Sequence, residues 1–229
     1  MPEGNRDDLL ARGFALVTYD TPAAEFVSRA PTTGPRVGFG PLAAPAGLLG
    51  RAFFRMVVRH AEEVVPRVLD ALVGLPVIDA GRIGIAGTST QGFIALAAFA
   101  TEPRLAVAAV VSACPDYVAF LRDSTMGMAG ERLTLDPAYS RWLVSKSPGS
   151  HPSRLAHGPL LLIAGEHDRM TPPSCLSEST GGLRTAFAAA GRRNQLRIRM
   201  TPRLGHGSTP RSNQMIASWW SRWLGPTGH

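Results

Sequence analysis

Three residues stand out by type and by order along the chain: Ser89, Asp168 and His206. A hydroxyl, a carboxylate and an imidazole suffice for acyl transfer through a covalent intermediate when they line up. The imidazole takes the serine proton and later returns it, while the carboxylate holds the imidazole tautomer and stabilises the imidazolium. Each of the three falls where a short apolar run ends, and in open parallel sheets functional groups gather beyond the carboxyl ends of the strands. Taken singly, each also has an ordinary role as a helix cap, a turn aspartate or a loop histidine.

The stretch around Ser89 is the most informative. It reads R-I-G-I-A-G-T-S-T-Q-G-F-I-A-L-A-A-F-A over 82–100. Ile83, Ile85 and Ala86 predict a buried strand, Gly87-Thr88-Ser89-Thr90 a tight turn and 91–100 an apolar helix. A serine at the apex of a strand–turn–helix is the nucleophile-elbow pattern, which pushes the hydroxyl off the sheet edge. The pattern calls for G-x-S-x-G, yet Gln91 stands at the second glycine position and Gly92 follows one place later. The competing reading is an ordinary βα turn in which Ser89 and Thr90 only cap the helix.

The elements needed to position these residues alternate along the chain. Strands are predicted at 14–19, 83–86, 105–111, 159–164 and 195–200, and helices at 5–12, 51–73, 91–100, 117–122, 138–144, 177–190 and 212–224. Pro66 predicts a kink in the 51–73 helix. The Pro-, Gly- and Ala-rich stretch 21–50 reads as a long loop, with short elements at 23–29 and 36–39, and long loops in compact domains are often functional. Residues 123–152 read as a lid or insertion in an otherwise single domain spanning 1–229. Such alternation predicts an α/β fold, a mostly parallel sheet with helices on both faces.

Composition narrows the classes. With 229 residues and 45% apolar content the chain can build one sizeable core. The net charge of +7 is nearly all arginine, since Lys146 is the only lysine, a skew that points to base composition of the gene. The basic run Arg192, Arg193, Arg197, Arg199 and Arg203 lacks interleaved aromatics, which argues for a solvated face and against nucleic-acid binding. Cys114 and Cys175 show neither metal nor disulfide spacing and read as reduced thiols of a cytoplasmic protein. No signal-peptide core and no membrane-length apolar run is present. Glu166, His167 and Asp168 are adjacent, an unsuitable spacing for converging on one metal ion, so no metal or cofactor is expected. Asp116 also follows a strand and competes with Asp168 for the role of acid.

From about Leu10 onward the chain resembles α/β-hydrolases of the dienelactone-hydrolase and prolyl-oligopeptidase-like branch. L-L-A-R-G-F-A-L-V-T-Y-D is similar to that family's fourth strand and preceding helix, and R-I-G-I-A-G-T-S-T-Q-G to its nucleophile elbow. P-L-L-L-I-A-G-E-H-D-R-M-T-P-P resembles its acid loop, and L-G-H-G-S-T-P with the Trp-rich helix after it resembles its histidine loop and closing helix. The resemblance implies Ser89 as nucleophile, His206 as base, Asp168 as orienting acid and the Thr90 N–H as one oxyanion donor. It also implies three earlier strands and an His-Gly loop supplying the other donor, and only thirteen residues precede Phe14 here. The chain is therefore expected to be N-terminally truncated, with 14–19 as an exposed apolar edge strand inviting homo-oligomer pairing. A second threading makes 14–19 the third strand and Asp20-Thr21 the oxyanion loop. The expected function is a serine hydrolase cleaving a small ester, amide or short peptide; the alternative is a non-catalytic, incomplete member acting as an interaction module.

Overall fold

Strands and helices alternate through most of the chain in the computed structural model, which describes residue 7 and residues 9–19, 36–37, 44–45, 49–124 and 137–225. Two short strands, β1 (Arg36–Val37) and β2 (Ala44–Pro45), pair antiparallel within the predicted 21–50 loop. The main sheet contains β3 (Ile83–Thr88), β4 (Leu105–Val111), β5 (Leu160–Gly165) and β6 (Leu196–Thr201). These four lie side by side in sequence order, every pair parallel.

Parallel strands need crossover helices, and these cover both faces. Within β4 the period-2 pattern serves both layers at once. Val107, Ala109 and Val111 pack with Leu161 and Ile163 against one cluster, while Ala108 and Val110 face the other. The first face is covered by α7 (Pro210–Leu224), which buries Ile216, Trp219, Trp220 and Leu224. Its start is fixed by a capping box in which the Thr209 side chain accepts from the Ser212 N–H and the Ser212 hydroxyl accepts from the Thr209 N–H.

The opposite face carries α1 (Leu49–Arg59), α2 (Val65–Val73), α3 (Thr90–Thr101), α4 (Tyr117–Asp123), α5 (Pro137–Lys146) and α6 (Pro173–Ala189). The helix predicted at 51–73 is continuous but changes pitch, with one π-turn (His60–Val64) joining α1 to α2. Pro66 is the cause. It has no N–H to donate and its ring would collide with the carbonyl four residues earlier; the wider turn, in which the Val65 N–H donates to the His60 carbonyl, makes room. An aromatic cluster ties α1, α3 and α4 together beneath the Ser89 turn. Phe54 stacks on Tyr117 at 4.2 Å between ring centroids, and Phe93 meets Phe120 edge-on at 4.8 Å.

One predicted strand is not formed. Residues 14–19 follow a short helical segment (residues 7 and 9–11 are helical) but join no ladder, and among the described residues the main sheet has four strands, with β3 at one edge. The run is apolar for a different reason. Phe14 and Leu16 pack against the cluster under α7, whereas Tyr19 packs against the opposite cluster, its ring stacked 6.2 Å from that of His60. Side-chain burial on two sides without backbone pairing leaves the same hydrophobic signature as a strand. In either threading, residues 14–19 pair with no strand among the described residues. Asp20 and Thr21 lie outside the described residues, as do 125–136 of the lid stretch. The described remainder of that stretch is built into the core: Tyr139 and Leu143 are buried, and the Tyr139 hydroxyl donates to the Gly50 carbonyl at 3.3 Å.

Candidate active site

The turn between β3 and α3 is strained. Ser89 has φ 57° and ψ −123°, well outside the regions open to most side chains. Such a backbone costs about 1–3 kcal/mol and persists only where surrounding contacts over-determine it. Here the Ser89 N–H donates to the Val111 carbonyl at the end of β4 at 2.9 Å, and its own carbonyl accepts from Phe93 at 3.0 Å. Ser89 occupies the N-cap position of α3 yet makes no capping bond. Its Oγ instead lies 2.8 Å from His206 Nε2. The hydroxyl is turned away from the helix it would ordinarily serve.

His206 sits in the loop between β6 and α7, and Asp168 in the loop after β5. His206 Nδ1 is 2.9 Å from Asp168 Oδ2 and 3.1 Å from Oδ1. With a carboxylate accepting at Nδ1, that nitrogen carries the proton and Nε2 is left to accept from Ser89. Asp168 is fixed in turn by the Met170 and Thr171 N–H groups, which donate to Oδ1 at 2.9 and 2.7 Å. Burial pushes the Asp168 carboxyl up, but the His206 bond, the Thr171 N–H, the nearby imidazole and the Ser112 hydroxyl together hold it below the ordinary aspartate range. The carboxylate stays ionised.

The two loops meet at Gly165. A Cβ there would come within 2.5 Å of both the Gly205 and the Leu204 carbonyl oxygens, and the His167 N–H donates to that Leu204 carbonyl at 2.8 Å. Only glycine permits this approach, so Gly165→Ala is expected to push the histidine loop off the acid loop. The expected cost is about 1–3 kcal/mol, the usual range for an overpacked site, read as a lowered denaturation midpoint in urea. A midpoint equal to that of the unchanged chain would contradict this account.

The elbow departs from its expected pattern without losing its packing. The small residue required against the neighbouring strand is Gly92, whose added Cβ would meet Ala113 Cβ at 2.9 Å and the Val111 carbonyl at 3.0 Å. Gln91 is exposed, so that position tolerates a long side chain. Thr90 is the first residue of α3, and an N–H there has no partner inside the helix. Asp116 serves elsewhere, as the cap of α4, where its side chain accepts from the Val118 and Ala119 N–H groups at 2.9 and 3.0 Å. Glu166 and His167 are exposed while Asp168 is buried, so the three do not converge. Cys114 and Cys175 are free and buried. Two contributors escape a reading of the sequence alone, Thr171 and Ser112. The signal for Thr171 is its place three residues after Asp168, the spacing at which an Asp side chain accepts a backbone N–H. The signal for Ser112 is its place directly after the Leu105–Val111 run.

No helix among the described residues is long and apolar enough to cross a membrane. No curated protein sequence matches the chain. Its fold is similar to solved structures of much longer proteins. A Mycobacterium tuberculosis puromycin-hydrolyzing peptidase superposes with a TM-score of 0.56 at 23% identity, over 72% of this chain and 25% of that one. A Pyrococcus horikoshii acylaminoacyl peptidase gives a TM-score of 0.62 at 16% identity, over 82% of this chain and 32% of that one. An acylaminoacyl peptidase in complex with Z-Gly-Gly-Phe-chloromethyl ketone gives 0.59 at 18% identity, over 74% of this chain and 28% of that one. The chain thus spans about a quarter to a third of the length of these relatives. These likenesses establish the α/β-hydrolase fold. The family model for the prolyl oligopeptidase family matches residues 58–227, from the helix before the elbow through the closing Trp-rich helix, and the chain belongs to that family.

Proposed function

We propose that the chain is a serine hydrolase that cleaves an acyl bond through Ser89, His206 and Asp168. The observation that carries this reading is the unbroken hydrogen-bond path from Ser89 Oγ through the imidazole to Asp168, with the serine held in a strained turn and freed from helix capping. His206 Nε2 removes the hydroxyl proton as Ser89 Oγ attacks the substrate carbonyl carbon. Negative charge then develops on the carbonyl oxygen, and the Thr90 N–H at the start of α3 is the donor facing it. Collapse of this intermediate expels the alcohol or amine, which receives the proton from His206, and leaves Ser89 acylated. Water, deprotonated by the same imidazole, releases the acid and restores the serine.

The prolyl oligopeptidase family and the peptidases among the structurally similar proteins support an acyl-peptide substrate. We assign to this site short acyl-peptide amides and the corresponding esters. The test is a matched pair of chromogenic substrates sharing one acyl-peptide, one with an ester and one with an anilide leaving group. Turnover of both supports a peptidase, and turnover of the ester alone restricts the site to esters. Turnover of neither, with no labelling by a fluorophosphonate, sinks the reading.

Gln91 supplies an independent check. Because its position is exposed and Gly92 makes the close contact, Gln91→Gly is expected to keep kcat/KM within about threefold, at a stability cost of about 1 kcal/mol at most. A tenfold or greater loss would assign the glutamine side chain to substrate.

A further inference from the structure

Ser112 follows β4 directly and has the left-handed φ of 49°, although it carries a side chain and is fully buried. Every polar group it owns is committed to a different part of the site. Its N–H donates to the Ile163 carbonyl of β5 at 2.9 Å. Its carbonyl accepts from the Thr171 hydroxyl at 3.2 Å, and the Thr171 N–H in turn donates to Asp168. Its Oγ accepts from the Gly207 N–H, next to His206, at 3.2 Å. The one hydroxyl proton has two candidate acceptors, the Gly207 carbonyl at 3.4 Å and the Asp168 carboxylate. The hydroxyl also helps to hold the Asp168 carboxyl below the ordinary aspartate range.

A strand continued in the ordinary way would point the Ser112 carbonyl and hydroxyl elsewhere. The left-handed turn sends the carbonyl to the acid loop and the hydroxyl between the acid and histidine loops. Strain of this kind survives in a structure only where several contacts hold it, and it clusters at functional sites. We propose that Ser112 is a positioning residue: it locks the loop of Asp168 to the loop of His206 and so fixes the imidazole that serves Ser89. This rests on the triad reading and adds to it a fourth residue that touches neither substrate nor Ser89.

Two variants separate positioning from plain structural support. Ser112→Ala removes the hydroxyl and keeps the Cβ. Ser112→Gly also removes the hydroxyl but relieves the backbone, because glycine adopts positive φ freely. Both are expected to lose about 3- to 10-fold in kcat on a chromogenic acyl-peptide ester, the effect of one lost hydrogen bond to the histidine loop, with KM within about twofold. The glycine variant should melt no lower than the unchanged chain. A residue needed only for folding would behave oppositely, with glycine retaining activity. In an Asp168→Asn background, Ser112→Ala should cost less than about threefold more, because residues acting through one another are not additive.

A second readout does not depend on turnover. The proton on His206 Nδ1, observed downfield by NMR, should exchange with water at least about tenfold faster in Ser112→Ala, since its carboxylate acceptor is no longer held. Full kcat in both Ser112 variants, equal losses with and without Asp168, or an unchanged exchange rate would each overturn the proposal. Failure of the triad reading would show differently, as activity retained in Ser89→Ala, and the proton-exchange result would still decide the role of Ser112.

Discussion

Ser89→Ala is expected to reduce hydrolysis of any acyl substrate to near the uncatalysed background and to abolish labelling by a fluorophosphonate. His206→Ala should do the same. In a triad that works as a unit, losing the nucleophile or the base alone removes about 10⁴–10⁶ in kcat, much as losing all three does. The geometry explains why the two losses should match. Ser89 Oγ is a weak nucleophile until its proton moves to His206 Nε2, 2.8 Å away, and no other imidazole touches it among the described residues. Alanine at 89 leaves the α3 N-terminus and the strained turn in place, because Ser89 makes no capping bond. The variant should therefore fold as the unchanged chain does, and a melting curve run in parallel checks this. Retention of more than a tenth of the activity by Ser89→Ala would remove the serine from the centre of the reaction.

Asp168→Asn is expected to cost about 10³–10⁴ in kcat while leaving the loop folded. The reason lies in which oxygen is already engaged. Oδ1 accepts from the Met170 and Thr171 N–H groups, so an asparagine must place its carbonyl oxygen there and turn its NH₂ toward His206. That NH₂ donates to Nδ1, the imidazole proton moves to Nε2, and Nε2 can no longer take the Ser89 proton. The same carboxylate makes stability depend on pH. Its pKa in the folded chain lies below the ordinary value of 3.8, so its contribution is fully present above about pH 4 and is lost as the pH falls further, toward the folded value. The stability gap between the unchanged chain and Asp168→Asn should accordingly narrow below pH 4 in urea titrations. A gap constant from pH 7 to pH 3 would mean that the carboxylate gains nothing from the groups around it.

The difference between sequence and structure is clearest in two apolar runs. The run at 105–111 reads as a strand with the bounds it has in the structure, because a parallel strand buried on both faces is a continuous apolar stretch of limited length. The run at 14–19 has the same character but forms no ladder. Pairing depends on a neighbour at the right distance, and hydrophobicity says nothing about the neighbour. At the elbow the pattern reads as incomplete because of Gln91, yet the contact that matters is made by Gly92 against Val111 and Ala113, at the end of the adjacent strand and just beyond it. Local spacing cannot show which residue of a helix start faces the sheet.

What the sequence determined by itself was the alternation of strands and helices, the parallel sheet, and the succession of Ser89, Asp168 and His206 at strand ends. Each of these is written in short-range patterns: apolar runs of strand length, turn residues and the order of three chemical types. Only the tertiary structure decided that Asp116 caps a helix while Asp168 meets the histidine, and that Ser89 gives up its helix for His206. It alone decided that Ser112 and Thr171 bind the acid loop to its neighbours. Apart from the local cap at Asp116, those facts depend on contacts between residues 38 to 117 positions apart, such as His206 with Asp168 and with Ser89. Distances of that kind are set by how the sheet is stacked and how closely Gly165 lets two loops approach, and no local pattern encodes them.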